Sequence, residues 1–196
     1  MRRNAPRALP DQSGLAYPGA VTDAIRPANA ADLPAITAIY GEAVATTTVS
    51  FETEPPGVDE MARRFALLRD GGFPYLVAER DGTVAGYAYA GPYHQRAAYR
   101  STVEDSIYVA RTFRGGGVGR GLLAALITAC ERIDCRTMVA VIAESGSPAS
   151  VALHASLGFT PVGTLAAVGY KHGRWLDVKL MQRPLGPGRG APPTRT

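Results

Sequence analysis

The sequence predicts an α/β domain of three layers, a mixed sheet with helices on both faces. Three observations carry this. Apolar residues recur at strand spacing and at helix spacing in the order β-α-α-β-β-β-α-β-α-β-β. Asp81-Gly82 separates two β-rich runs, as in a tight antiparallel hairpin. Thr137-Met138-Val139-Ala140-Val141-Ile142 is almost continuously apolar, as in a strand covered on both faces. This order is not the strict strand–helix alternation of a doubly wound nucleotide-binding fold.

Along the chain, Ala24-Ile25-Arg26-Pro27 reads as a short first strand. Asn29 or Asp32 can cap the helix that follows, which keeps Leu33, Ile36, Ile39, Tyr40 and Ala43 on one face. The β-branched run from Thr46 to Phe51 leaves that helix. A second helix fits Val58 to Leu68, with Met61, Phe65 and Leu68 on its apolar side. Tyr75 to Glu79 and Thr83 to Tyr89 are the hairpin strands, and Thr102 to Val109 is the next strand. A helix follows from Val118 to Ile133, then the apolar strand, then a short helix from Ser150 to Leu157. Thr160 to Tyr170 and Trp175 to Gln182 form a final antiparallel pair around Lys171-His172-Gly173-Arg174.

Composition bounds the rest. A chain of 196 residues, 46% apolar and 19% charged, suits one domain with a sizeable core. Residues 1–22 and 186–196 are rich in Pro, Gly, Ala and Arg without periodicity and are expected to be a flexible arm and a flexible tail around a domain of residues 23–185. The net charge of +4 sits mostly in those ends, which leaves the centre close to neutral and gives no electrostatic case for nucleic acid. No run reaches the length of a membrane span, and the basic N-terminus lacks an apolar segment that would make it a secretory signal. A cytoplasmic location is expected by default. Cys130 and Cys135 lack metal-ligand spacing and are expected to be buried thiols; no metal is expected.

The most specific local signal is Arg114-Gly115-Gly116-Gly117-Val118-Gly119, which follows a strand and opens a helix. Bare backbone N–H groups at a helix start, backed by the helix dipole, bind phosphate. A P-loop is excluded because its lysine and Ser/Thr are missing. Gly119-Arg120-Gly121-Leu122-Leu123-Ala124 reads as G-x-G-x-x-A, with Glu144 as a possible ribose-binding acid, so the dinucleotide fingerprint stays open. It expects the turn straight off the first strand, whereas Ala110 to Phe113 intervene here and a hairpin lies upstream.

The element order, with this loop after the fourth strand, resembles the GNAT superfamily of N-acyltransferases. Their coenzyme A pyrophosphate loop has the pattern Arg/Gln-x-x-Gly-x-Gly/Ala, which Arg114, Gly117 and Gly119 match in order. Five further stretches resemble the phosphinothricin and methionine sulfoximine N-acetyltransferase family. They are Ser50-Phe51-Glu52-Thr53-Glu54-Pro55, Ala88-Tyr89-Ala90-Gly91-Pro92, Thr102 to Val109, Leu153-His154-Ala155-Ser156-Leu157-Gly158-Phe159, and Gly169 to Val178. The resemblance runs from Ile25 to Leu185 and implies a GNAT fold, a central mixed, mostly antiparallel sheet flanked by helices on both faces. It also implies acetyl-CoA as cosubstrate, a small-molecule amine as acceptor and a homodimer. Gly115, Gly116, Val118 and Arg120 would complete the cofactor loop. The family usually has Asn where this chain has Ser147, a side chain that steadies the pantetheine arm; serine hydrogen bonds with a shorter reach.

The reaction requires a neutral amine, a polarised thioester carbonyl and a proton for the departing thiolate. Glu104 matches the family's base and is expected to deprotonate the amine. Alternation puts Glu104 and Ser106 on one face of the strand and Val103 and Asp105 on the other. The bland alternative for Glu104 is a strand-edge carboxylate in solvent or an ion pair. The strand end Ile107-Tyr108-Val109, where strands must part to admit the thioester, can offer a backbone N–H to the carbonyl oxygen. His154 is a catalytic candidate through the resemblance; otherwise it is a helix histidine bonded to a backbone carbonyl. Arg96 and Arg100 match positions that bind the acidic end of the substrate, or else are solvated loop arginines. Phe51, Tyr93 and Trp175 can wall the pocket or belong to the core. His172 reads as a turn residue. The expected activity is acetylation of the α-amino group of a phosphinothricin, methionine sulfoximine or methionine sulfone type of substrate. The alternatives are another small amine, a peptide N-terminus, or a non-catalytic acyl-CoA-binding module.

Overall fold

The computed structural model describes residues 23–143 and 148–194. Seven strands form one sheet: β1 (Ala24–Pro27), β2 (Tyr75–Arg80), β3 (Thr83–Pro92), β4 (Thr102–Val109), β5 (Thr137–Ala143), β6 (Thr160–Lys171) and β7 (Arg174–Pro184). Their order is β1-β2-β3-β4-β5-β7-β6. β4 and β5 are parallel neighbours; the other neighbouring pairs are antiparallel. The helices are α1 (Leu33–Thr46), α2 (Val58–Asp70), α3 (Val118–Arg132) and α4 (Pro148–Ser156). The mixed, mostly antiparallel sheet and the element order are those expected from the sequence.

Local chemistry accounts for the ends. Asn29 accepts the N–H of Ala31, and Asp32 accepts the N–H of Asn29, a reciprocal cap ahead of α1. The β2–β3 turn places both Asp81 (φ 51°) and Gly82 (φ 72°) in the left-handed region, as a two-residue hairpin requires. His172 (φ 49°) and Gly173 (φ 75°) do the same between β6 and β7, so His172 is a turn residue. β3 runs three residues past Tyr89 because β4 pairs with it as far as Pro92↔Val103.

The core divides between the two faces of the sheet. Under α3 lie Leu122, Leu123, Leu126, Met138 and Met181. Under α1 and α2 lie Ile36, Val44, Met61, Phe65, Val77 and Tyr87. Cys130 and Cys135 are buried and unbridged. The loop between α1 and α2 is tied to the β6–β7 hairpin by Lys171, whose buried ammonium donates to the carbonyls of Val44 (2.7 Å) and Ser50 (2.8 Å). Burial holds its pKa below the ordinary lysine value.

Leu185 is fully buried. The segment after it, expected from composition to be a flexible tail, folds back in residues 186–194. Arg136 donates to the carbonyl of Pro192 (3.0 Å), and Thr194 donates from its N–H and hydroxyl to Asp134. The expected N-terminal arm, residues 1–22, lies outside the described residues. No helix among the described residues is long and apolar enough to cross a membrane.

Candidate active site

The parallel pairing of β4 with β5 covers three residues: Thr102↔Thr137, Val103↔Met138 and Glu104↔Val139. Beyond Glu104, β4 runs on beside β3 to Val109 and β5 runs on beside β7 to Ala143, so the two strands part. Glu104 therefore stands at the fork. Strand alternation assigns the amides of the open edge. Ala110 N–H donates to Ala85 on β3 (3.0 Å), so the N–H groups of Val109 and Ile107 point the other way, into the fork, and that of Tyr108 points to β3. Two contacts agree with this. The Tyr108 carbonyl lies against Gly86 of β3, and the Val109 carbonyl, on the open edge, accepts Arg114 Nε at 3.1 Å.

Past Val109 the chain makes a short turn and enters the glycine run. Gly115 (φ 77°) and Gly117 (φ 88°) are left-handed, which explains glycine at these two places. Gly117 is the N-cap of α3 and has no side chain to satisfy the first helical N–H groups. Arg80 pins the loop from behind by donating to the Gly116 carbonyl (3.1 Å). Gly115, Gly116 and Gly117 are exposed, Val118 is buried in the core, and Gly119 meets Leu153 of α4. Arg120 bonds the Ser156 hydroxyl at 2.6 Å. Exposed amides at a helix start, with Arg114 and Arg120 beside them, suit a diphosphate. Ser147 lies outside the described residues, as does Glu144. Among the described residues no cluster of three metal-ligating side chains occurs.

Glu104 is half-buried. Burial and then the charge of Asp105 push its pKa above the ordinary carboxylate value. On its face of the sheet Gly91 is its cross-strand partner and Tyr89 is opposite Ser106. A cavity of about 250 Å³ opens here between α1, α2 and the sheet, lined by Tyr40, Arg64, Leu68, Tyr87 and Tyr89 among others. Leu68 reaches Gly91, so the cavity ends beside Glu104. Its polar rim is Glu52, which accepts from Tyr40 (2.8 Å) and from Arg64 (2.6 Å). A larger opening, about 380 Å³, lies at the start of β5 against residues 188–193, away from the glycine loop; the convergence of the Glu104 carboxylate, open edge and loop marks the candidate site instead.

The remaining expected residues fall in three places. Arg96 and Arg100 are exposed in the segment before β4, and Arg100 donates to the Ala97 carbonyl. Phe51 lies flat on the backbone of Gly169, and Trp175 is 66% exposed and edge-on to Tyr170. His154 is 3% exposed. Its Nδ1 donates to the Ser150 carbonyl (2.7 Å) and its Nε2 meets Asp105 Oδ2 at 3.0 Å. Burial opposes protonation of the ring, but the hydrogen bond and charge of Asp105 outweigh it and raise its pKa. Asp105, Glu52 and Arg64 were not singled out from sequence. Alternation put Asp105 on the face opposite Glu104, but only the fold brings α4 to it.

Comparison with known proteins places this geometry. The family model described as the acetyltransferase (GNAT) domain matches residues 25–180. The phosphinothricin N-acetyltransferase of Alcaligenes faecalis is 55% identical, with 80% of each chain covered. The L-methionine sulfoximine/L-methionine sulfone acetyltransferase of Pseudomonas paraeruginosa is 44% identical, covering 86% of this chain and 98% of its own. A phosphinothricin acetyltransferase from Sinorhizobium meliloti, solved in complex with acetyl-CoA, superposes with a TM-score of 0.85 at 48% identity, over 88% of this chain and 94% of its own. With its forked β4–β5 pair and the glycine loop beyond it, the chain belongs to the GNAT acetyltransferase family.

Proposed function

We propose that this chain transfers the acetyl group of acetyl-CoA to the α-amino group of a small amino-acid analogue of the phosphinothricin, methionine sulfoximine or methionine sulfone type. The observation that carries the reading is the position of Glu104, a half-buried carboxylate at the fork of β4 and β5, between the cavity and the open edge. The relatives named above supply the substrate class.

Acetyl-CoA fits the residues: the backbone amides of the glycine run and the start of α3 suit its diphosphate, and the fork leaves room for its arm. When bound, it supplies an activated acyl group and a thiol leaving group. Glu104 takes a proton from the substrate ammonium, and its raised pKa brings it closer to the amine's range than an exposed glutamate. The freed lone pair forms the C–N bond as the C–S bond breaks and its electron pair leaves with sulfur. The second proton lost by the nitrogen balances the thiol. Val109 N–H, with Ile107 N–H one pleat away, donates to the carbonyl oxygen as charge gathers there; one such donor is worth roughly 10²–10³ in rate. Arg96 and Arg100 hold the substrate carboxylate, and Phe51 and Trp175 wall the approach from the α1–α2 loop and the β6–β7 hairpin.

We further propose a homodimer in the cytoplasm. A thiol-release assay with acetyl-CoA and a panel of amines tests the activity. Phosphinothricin and methionine sulfone should be acetylated, and simple amines should not. Truncating Arg96 or Arg100 should raise KM for a free amino acid more than for its amide, by about tenfold, since losing a charge-assisted hydrogen bond costs about 1.5–3 kcal/mol. A wild type that acetylates acid and amide equally well would put the acid-binding role out of court.

A further inference from the structure

We propose that Asp105 and His154 form a clasp across the floor of the fork, and that Asp105 is a positioning residue for acetyl transfer. This rests on the acetyl-transfer reading above.

Asp105 is the first residue of β4 beyond its last pair with β5, so it sits where the strands begin to part. Its side chain points away from Glu104, to the opposite face, and is 2% exposed. Its partner is on α4, the helix that follows β5 and packs against β5 and α3. The ion pair thus joins the half of the sheet that carries the base to the half beyond the fork. Other ties between the halves lie at the rims: Lys171 to the α1–α2 loop, and Arg120 on α3 to Ser156 on α4. The Asp105 clasp is at the root.

The chemistry favours a fixed pair over a mobile acid. With Nδ1 bonded to the Ser150 carbonyl and Nε2 to Asp105, both ring nitrogens of His154 are engaged and neither is directed to the open edge. The edge of Phe159 packs against the ring (4.9 Å between centroids), leaving it little freedom to turn. Breaking one side of a buried pair is costly, because the other charge is left unpaired. Such a clasp resists widening of the fork. The gap between Glu104 and the Val109 N–H is spanned by one short strand segment, and a misplacement of about 1 Å at a reacting centre can cost about 100-fold in rate.

The test uses Asp105→Asn, His154→Gln and the double variant in the full chain, with Asp105→Ser as a second probe should the asparagine variant fail to fold. Nitrogen NMR of His154 should show the doubly protonated ring persisting to higher pH in the wild type than in Asp105→Asn. Amide exchange in α4 should quicken in each variant while α1 and α2 are unchanged. Kinetically, kcat should fall about 10–100-fold at every pH between 6 and 9, while acetyl-CoA affinity by calorimetry changes less than threefold, because neither Asp105 nor His154 bonds the glycine loop. The double variant should lose no more than the worse single one, as for two parts of one device.

Three results would overturn the proposal. One is a folded Asp105→Asn with wild-type kcat, which would make the pair structural only. Another is a variant whose activity returns at low pH, where His154 regains its proton, which would make the ring a direct acid. The third is a double variant whose losses multiply. A wild type that acetylates nothing would sink the acetyl-transfer reading and with it the positioning role, whereas exchange in α4 would still report the clasp.

Discussion

At the scale of single residues, the proposed chemistry turns on Glu104. Glu104→Gln keeps the shape and removes the proposed base, so acetyl-CoA should bind as before while turnover falls roughly 10²–10⁴-fold. Single-turnover kinetics and calorimetry separate the two. The raised pKa also makes a stability prediction. A carboxylate whose folded pKa exceeds its unfolded value favours the folded state only while protonated, and that advantage is lost as pH rises through the folded pKa. The glutamine variant has no charge to bury. It should therefore melt higher than the wild type at pH 8, and the gap should close below about pH 4, the ordinary glutamate range. A variant that melts lower at pH 8 would contradict the burial assigned to Glu104. Much at this scale was legible in sequence, because strand alternation separates Glu104 from Asp105 and a glycine run marks the loop. The partners were not. Asp105 meets a histidine 49 positions away, and Glu52 meets an arginine on α2; neither spacing has a local signature. Arg96 and Arg100 were read from the resemblance, and the fold leaves both exposed.

Among the elements, the unit from β4 through the glycine loop to α3 is the one that would hold the cofactor. Gly117 combines two demands, a left-handed φ of 88° and an approach free of side chain; nothing lies within 4 Å of where its Cβ would be. Gly117→Asn and Gly117→Asp separate them. Both strain the backbone similarly, and asparagine tolerates this conformation best of the non-glycine residues. Only aspartate adds a charge facing the diphosphate. Calorimetry should find acetyl-CoA weakened more than tenfold by Asp and clearly less by Asn, and the difference should shrink in high salt. Equal effects would mean that conformation alone explains the glycine. Element order was legible because each helix buries an apolar stripe and each hairpin carries turn residues that accept positive φ. The fork was not. Its position depends on how many residues of β5 pair with β4 while β7 holds the other edge of β5 throughout, and no local pattern records that number. The docking of the α1–α2 loop was hidden for the same reason: Lys171 is polar in sequence, and its burial follows from two carbonyls brought to it by another part of the chain.

For the whole molecule, the β6–β7 hairpin is the surface that bears on the proposed homodimer. Val162, Leu165, Val168, Tyr170 and Trp175 are each about half exposed or more, although they belong to two long strands at the edge of the sheet. Edge strands of soluble monomers carry charge, and contiguous apolar patches beyond a few hundred Å² mark association sites. Positive φ at Ala167 (52°), stapled by Asp177 accepting its N–H (2.8 Å), bends β6 within this patch, a deliberate shape rather than a frayed end. The antiparallel pairing of these final strands was legible in sequence; the exposure of their apolar side chains was not. The expected state is a homodimer built through this hairpin. Light scattering at micromolar concentration should give twice the chain mass. Val168→Asp with Leu165→Asp should give the single mass with an unchanged circular dichroism spectrum, because both side chains are exposed in the isolated chain and should cost it little. Trp175 and Phe51 lie beside the same hairpin, Phe51 against Gly169 of β6, so the monomeric variant should also lose affinity for the amine while binding acetyl-CoA normally. A wild type of single mass, or a variant that stays dimeric, would move the interface elsewhere and leave the hairpin's apolar surface to the substrate alone.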